Sequence, residues 1–160
     1  MTIPTQNSPV VVLDLADEAA TAHLAASLAP LARQRDVIAL RGDLGAGKTS
    51  FARAFIRALG DPDQEVPSPT FSLVQTYDTA QVTPLWHFDL YRLTDSEEAL
   101  ELGIEEAFAE GIALIEWPER LGNLLPVDRL DVVLAPCPDP KARQVSLYGW
   151  ADRLAAWQMN

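Results

Sequence analysis

The sequence predicts a three-layer α/β domain around a mixed, partly antiparallel central sheet, with residues 1–160 forming one unit. Two observations lead there. Early in the chain, apolar strand-like runs alternate with stretches of helical periodicity, and from Phe71 onward strand-like runs follow one another. Such a change marks parallel crossovers giving way to antiparallel pairing. In addition, a glycine-rich turn joins the second run directly to an amphipathic stretch. The 48% hydrophobic and 22% charged residues match an ordinary globular protein and exclude disorder, collagen-like repeats and coiled coil. A chain of this length can bury a substantial core.

Taken in order, residues 10–15 (VVVLDL) read as a strand, and Asp17 is placed to cap the helix after it. Leu24, Leu28 and Leu31 recur at i, i+4 and i+7, the spacing of one buried face, and Pro30 should end or bend that helix. Residues 36–41 (DVIALR) form a second strand, followed at once by GDLGAGKT. From Lys48 the pattern is helical: Phe51, Phe55, Ala58 and Leu59 fall on one face, Arg53 and Arg57 on the other, and Gly60 stands where a C-terminal cap belongs. In DPDQEVPSPT, Pro62, Pro67 and Pro69 deny a helix. Residues 71–77 (FSLVQTY) and 85–90 (LWHFDL) read as an antiparallel strand pair with a short connector. Residues 96–102 suggest a helix capped by Ser96. Residues 112–115 (IALI) are an apolar strand ending at Glu116, residues 130–134 and 144–148 are two more, and a closing helix carries Trp150, Leu154 and Trp157.

Charge narrows the function. Twelve Lys and Arg stand against 23 Asp and Glu, a net charge of −11. Nucleic-acid binding draws most of its affinity from cations that neutralise phosphates, so an acidic surface of this kind repels RNA. Any RNA in its biology should be held by a partner. The single cysteine, Cys137, cannot form an internal disulfide, and no Cys/His cluster has zinc-ligand spacing. The start, MTIPTQNSPV, lacks the regions of a secretory signal, and no apolar run reaches the roughly 18–20 residues of a membrane span. A reduced cytoplasmic protein, away from membranes, is expected.

Residues 42–49, GDLGAGKT, match Gly-x-x-x-x-Gly-Lys-[Ser/Thr], a phosphate-binding loop. Gly42, Gly45 and Gly47 permit the positive φ angles that curl successive N–H groups inward, and the positive end of the helix from Lys48 adds to this anion cradle. Lys48 would reach the β- and γ-phosphates, and the Thr49 hydroxyl would ligate Mg²⁺. This combination predicts a P-loop NTPase-like domain. The loop needs an acid at the end of a neighbouring strand to hold the metal or its waters, and Glu116 and Asp89 both qualify. The sequence does not rank them. VPSPTF is a stiff loop bearing two hydroxyls, Ser68 and Thr70, and reads either as a connector or as a nucleotide-ordered switch. Trp117 would stack on a nucleotide or pack at the sheet edge, while Cys137 and the tryptophans of the closing helix read as structural and His23 as solvated.

GDLGAGKT, SPTF, HFDLYRL, the Glu-Leu-Gly-Ile of residues 101–104, and IEWPERL, in that order, resemble the bacterial TsaE (YjeE) family of ATPases. The resemblance runs from about Asp17 to Pro126 and is loose beyond Val127. It implies a small P-loop protein that binds ATP with Mg²⁺ and hydrolyses it slowly. It further implies a part in threonylcarbamoyl modification of the adenosine beside the tRNA anticodon, with TsaD and TsaB as partners and tRNA met only through that complex. By position, Lys48 and Thr49 match the family's phosphate-loop lysine and metal hydroxyl, Glu116 its metal-associated glutamate, Asp89 its Walker-B-like aspartate and Thr70 its switch threonine. The loop residues Asp43, Leu44, Gly45, Ala46, Gly47 and Ser50, with Glu18, Trp117 and Arg143, would border the nucleotide. Lys48, Thr70, Asp89 and Glu116 would carry hydrolysis; no cis arginine finger is evident, and Arg92 and Arg120 are the candidates for one. Two rival readings share the phosphate loop: a small-molecule kinase, for which the stretch after Glu116 offers no arginine-rich lid, and a nucleotide-gated binding module with incidental hydrolysis. A GTPase is disfavoured because no Asn-Lys-x-Asp occurs.

Overall fold

The computed structural model describes residues 8–69 and 71–157. Its elements are β1 (Val11–Leu15), α1 (Glu18–Leu28), β2 (Val37–Arg41), α2 (Lys48–Leu59), β3 (Val74–Tyr77), β4 (Leu85–Asp89), α3 (Glu98–Glu101), α4 (Ile104–Glu110), β5 (Ile112–Glu116), β6 (Leu130–Pro136), β7 (Arg143–Tyr148) and α5 (Ala151–Ala155), with 3₁₀ turns at Ala29–Leu31 and Pro118–Leu124. The strands form one sheet in the order β1-β7-β6-β2-β5-β4-β3. β4, β5, β2 and β6 run parallel, β7 is antiparallel to both β1 and β6, and β3 is antiparallel to β4. The mixed sheet and the β3–β4 pairing are those expected.

Parallel strands covered on both faces should be apolar throughout. Every residue of β2 and β5 is buried. On one face α1 supplies Leu24, Ala25 and Leu28 and α2 supplies Phe51, Ala52, Phe55, Ile56 and Leu59, packed on Ile38, Leu40, Leu114 and Val132. On the other face Ala99, Ile104, Ala107 and Leu121 pack on Val37, Phe88, Ala113 and Ile115. Three layers result, with the carboxyl ends of β2, β4 and β5 opening at one edge. That edge is where an open α/β sheet presents its ligand crevice.

Asp17 caps α1 as expected, its carboxylate accepting from the Ala20 N–H at 2.9 Å. Other expectations need correction. The α2 core stripe runs through Ala52 and Ile56 while Ala58 faces solvent, because residues 51, 52, 55, 56 and 59 follow the helical period more closely. The helix after β1 ends at Leu28, and Leu31 belongs to a 3₁₀ turn, since Pro30 cannot supply the next amide. Residues 71–73 are not strand; β3 starts at Val74, after Leu73 takes φ +67° and its N–H bonds back to Pro69. Ser96 does not cap a helix over 96–102. Instead the Glu98 carboxylate folds back to accept from the Thr94 hydroxyl and the Thr94 and Asp95 amides, and the Thr94 bond leads in holding its pKa below the usual range. Trp157 lies beyond α5, yet its indole N–H reaches the Ser27 carbonyl at 3.2 Å and, with Trp150, it packs on the core. α4 was not anticipated; it starts after Gly103 at φ +83°.

One glycine fixes the lower edge of the sheet. Gly149 has φ +100°, and a Cβ there would stand 2.1 Å from the Arg129 carbonyl oxygen. Left-handed strain and a backbone clash add, so Gly149→Ala is expected to lower unfolding free energy by about 3 kcal/mol in urea titrations. Unchanged stability would show that the approach of β7 to β6 is less constrained than it looks.

Candidate nucleotide site

The site is built on the turn between β2 and α2. Gly42, Gly45 and Gly47 have φ +153°, +81° and +105°. A side chain at Gly42 would meet Ala46 Cβ and the Leu134 carbonyl oxygen, each at 2.8 Å, so the loop can lie this close to β6 only with glycine there. Gly47 is the N-cap of α2, which aims the positive end of that helix at the loop. From the far side Arg143, at the start of β7, grips the loop: Nε donates to the Ala46 carbonyl at 3.0 Å and Nη2 to the Gly45 carbonyl at 2.9 Å. In a planar trans peptide the C=O and N–H point oppositely. With the Ala46 carbonyl held toward Arg143, the Gly47 amide faces the other way, into the loop.

Lys48 is 5% exposed and bends over the loop, donating to the Gly42 carbonyl and, at 3.4 Å, to that of Asp43. Its Nζ stands 3.6 Å from the centroid of the Trp117 ring, a cation–π contact. Burial lowers the Lys48 pKa, opposed by the carboxylates of Glu116, Glu119, Asp89 and Asp43. Trp117 reaches Lys48 because its backbone, at φ +61°, turns the chain sharply off β5, and Tyr91 packs on it with ring centroids 4.9 Å apart.

The acids stand side by side. Asp89 and Glu116 are partners in the β4–β5 register. Glu116 is 2% exposed; Oε1 accepts from the Thr49 hydroxyl at 2.9 Å, and Oε2 lies 2.7 Å from His87 Nε2. Asp89 Oδ1 accepts from the Tyr91 amide at 3.1 Å. With Ser68, Trp117 and residues 44–50 these acids line a cavity of about 290 Å³. Glu18 lies around the rim: it accepts from the Ser50 hydroxyl at 3.1 Å and, with Lys141 and Arg143, borders a recess beside Gly45, Ala46 and Gly47. The structure thus gathers Glu18, Asp43, Leu44, Gly45, Ala46, Gly47, Lys48, Thr49, Ser50, Asp89, Glu116, Trp117 and Arg143 around one loop. Thr70, the sequence's switch residue, lies outside the described residues. Arg92 and Arg120 stand over the rings of Phe71 and Tyr91, at 4.7 and 5.9 Å.

Two residues at the site escaped sequence reasoning. His87 passed as a polar interruption in an apolar run; its i, i+2 spacing from Asp89 in a strand would have placed both on one face. Arg41, 2% exposed at the end of β2, bonds Asp131 at 2.8 Å and lies 3.7 Å from Glu119, tying the segment after Trp117 to the sheet. Its burial was hidden because a charge next to a glycine loop reads as exposed. Among the described residues no helix is long and apolar enough to cross a membrane.

This sheet, with its glycine loop leading from β2 into α2, defines a P-loop NTPase-like fold. It superposes on the crystal structure of Bacillus subtilis YdiB with a TM-score of 0.73 and 31% identity, covering 89% of this chain and 87% of that one. The family model described as threonylcarbamoyl adenosine biosynthesis protein TsaE matches residues 15–145. The chain is 44% identical over 123 residues to the tRNA threonylcarbamoyladenosine biosynthesis protein TsaE of Rickettsia felis, covering 77% of this chain and 71% of that protein. It is 40% identical over 134 residues to the protein of the same name from Bacillus subtilis, with 83% and 82% covered. The chain belongs to the TsaE family.

Proposed function

We propose that this chain is a single-domain, Mg²⁺-dependent ATPase that serves tRNA threonylcarbamoyladenosine biosynthesis as an accessory of a TsaD–TsaB complex, in the cytoplasm. The observation that carries the reading is the Thr49 hydroxyl held 2.9 Å from the Glu116 carboxylate, next in sequence to a buried Lys48 that bends over the glycine loop. A hydroxyl beside a strand-end acid is the protein half of a phosphate-loop metal site. The donors there, Thr49, Glu116 and Asp89, are all oxygens, which suits a hard cation that keeps water and phosphate ligands. Bound Mg²⁺ would neutralise charge on the transferring phosphoryl group.

The residues divide the work. Loop amides and Lys48 bind the β- and γ-phosphates, and Glu116 or Asp89 orients the attacking water. Trp117 walls off the mouth, and Thr70 with Ser68 orders the 66–71 loop when nucleotide arrives. Glu18 and Arg143 border the recess for the rest of the nucleotide. Arg92 and Arg120 rest on aromatic rings rather than reaching into the cavity, so slow hydrolysis that rises on partner contact is expected. The net charge of −11 supports contact with tRNA only through the complex.

The deciding experiment is ATP hydrolysis with and without TsaD–TsaB, alongside assay of the modified nucleoside. Hydrolysis that depends on a small acceptor and ignores the complex would point to a kinase instead. Arg143→Met, which releases two loop carbonyls, is expected to weaken Mg·ATP binding about tenfold by calorimetry, the worth of one charge-assisted hydrogen bond. Wild-type affinity would mean that the loop holds its shape without the clamp.

A further inference from the structure

His87 lies beneath the site and takes no part in the roles assigned above. It occupies the middle of β4, is 0% exposed, and pairs in register with Leu114 of β5 and Gln75 of β3. Strand alternation puts it on the same face as Asp89, two residues on, below the N-terminal turn of α2. We infer that His87 is a positioning residue, which holds the Glu116 carboxylate from below so that its other oxygen is presented to Thr49 and to the metal of the proposed ATPase site. This inference rests on the ATPase reading and adds a residue to it.

Three observations carry it. First, His87 Nε2 lies 2.7 Å from Glu116 Oε2, and in the tautomer with its proton on Nε2 the imidazole donates to the ionised carboxylate. Thr49 donates to Oε1 at 2.9 Å, so each oxygen has its own partner and rotation of the carboxylate is restricted. Second, Glu116 stands beside Asp89 in the parallel register, where like charges repel; an untethered Glu116 would swing away. Third, the one hydrogen bond of the imidazole among the described residues is the one to Glu116. Its Nδ1 is buried without a hydrogen-bond partner among the described residues, a costly arrangement on a face otherwise filled by Leu85 and Leu114. A polar group kept at such a place indicates service to its one partner.

The test compares His87→Leu and His87→Gln in the full chain with wild type. Gln carries an N–H at the reach of Nε2; Leu carries none. Readouts are the thermal midpoint, ATP affinity by calorimetry in Mg²⁺ and in EDTA, and kcat and KM for hydrolysis. His87→Leu removes the unpartnered Nδ1 but leaves Glu116 Oε2 without its donor, so the chain is expected to stay folded with a modestly lowered midpoint and to bind ATP in EDTA as wild type does. Its Mg²⁺-dependent gain in affinity and its kcat should each fall about 10- to 100-fold, the usual effect of removing a residue that orients a metal-associated ligand. KM should change little, and His87→Gln should restore most of both losses. In a Glu116→Gln background, His87→Leu should cost nothing more, since the two residues act as one unit. Wild-type kcat and Mg²⁺ gain in His87→Leu would overturn the positioning role alone. Loss of the fold in His87→Leu, or equal losses in both variants with lowered midpoints, would also overturn it by assigning the imidazole to structure. A wild-type chain that neither binds nor hydrolyses ATP would instead overturn the underlying ATPase reading, and this inference with it.

Discussion

Lys48→Ala is expected to lower Mg·ATP affinity by at least about 30-fold and up to about 4,000-fold, the range for removing one partner of a desolvated charge pair. Lys48 is 5% exposed, and its ammonium is positioned by the Gly42 and Asp43 carbonyls and by the face of Trp117. To meet a phosphate it would exchange contacts with these carbonyls for phosphate oxygens, with its stem already in place. Without it the loop would offer amides alone, against the carboxylates of Asp43, Asp89, Glu116 and Glu119. The empty protein should not miss the charge, because burial already works against it, lowering the Lys48 pKa. Lys48→Met, which keeps the apolar stem, should accordingly match or exceed wild-type thermal stability. Calorimetry with Mg·ATP and a melting curve on each variant separate the two effects. Undiminished affinity in a well-folded Lys48→Ala chain would remove the phosphate loop from the account of function.

Glu116→Gln is expected to leave ATP binding largely intact while lowering kcat by about 100-fold or more, as removing a positioned general base or metal-orienting acid does. The substitution keeps the shape and an acceptor for the Thr49 hydroxyl, so the mouth of the site should stay assembled. What is lost is the negative charge at the end of β5. Phosphate release under saturating ATP measures the loss, and Asp89→Asn assayed in parallel ranks the two acids, since the register places them as neighbours. Hydrolysis at the wild-type rate by both Lys48→Ala and Glu116→Gln would overturn the ATPase assignment.

The architecture was legible where local chemistry dictates it. GDLGAGKT determines backbone angles at three glycines, so the turn and the helix after it could be read without tertiary knowledge, and the buried runs of β2 and β5 were apolar enough to stand out. Elements set by competition were not legible. Ser96 had a rival in Glu98, whose longer side chain reaches back to two amides; α4, IEEAFAE, is only seven residues long, too short for a helical period to stand out. At the site, residues in the motifs were found, while those acting across the sheet were not. Arg143 could be matched to the site but not seen as a clamp, because its targets lie 97 and 98 residues away. Trp117 meets Lys48 only through a left-handed backbone turn. His87 needed the β4–β5 pairing before its partner was visible.

The crowd of carboxylates around Lys48 has a bearing on the proposed cofactor. Four acids face Lys48, and although Arg41 meets Glu119, the remaining carboxylates disfavour a polyphosphate that arrives bare. A divalent companion would carry part of the compensating positive charge, so such an entrance would favour chelated over unchelated nucleotide. In a cell, occupancy of such an entrance would then follow magnesium supply as closely as it follows the adenylate pool.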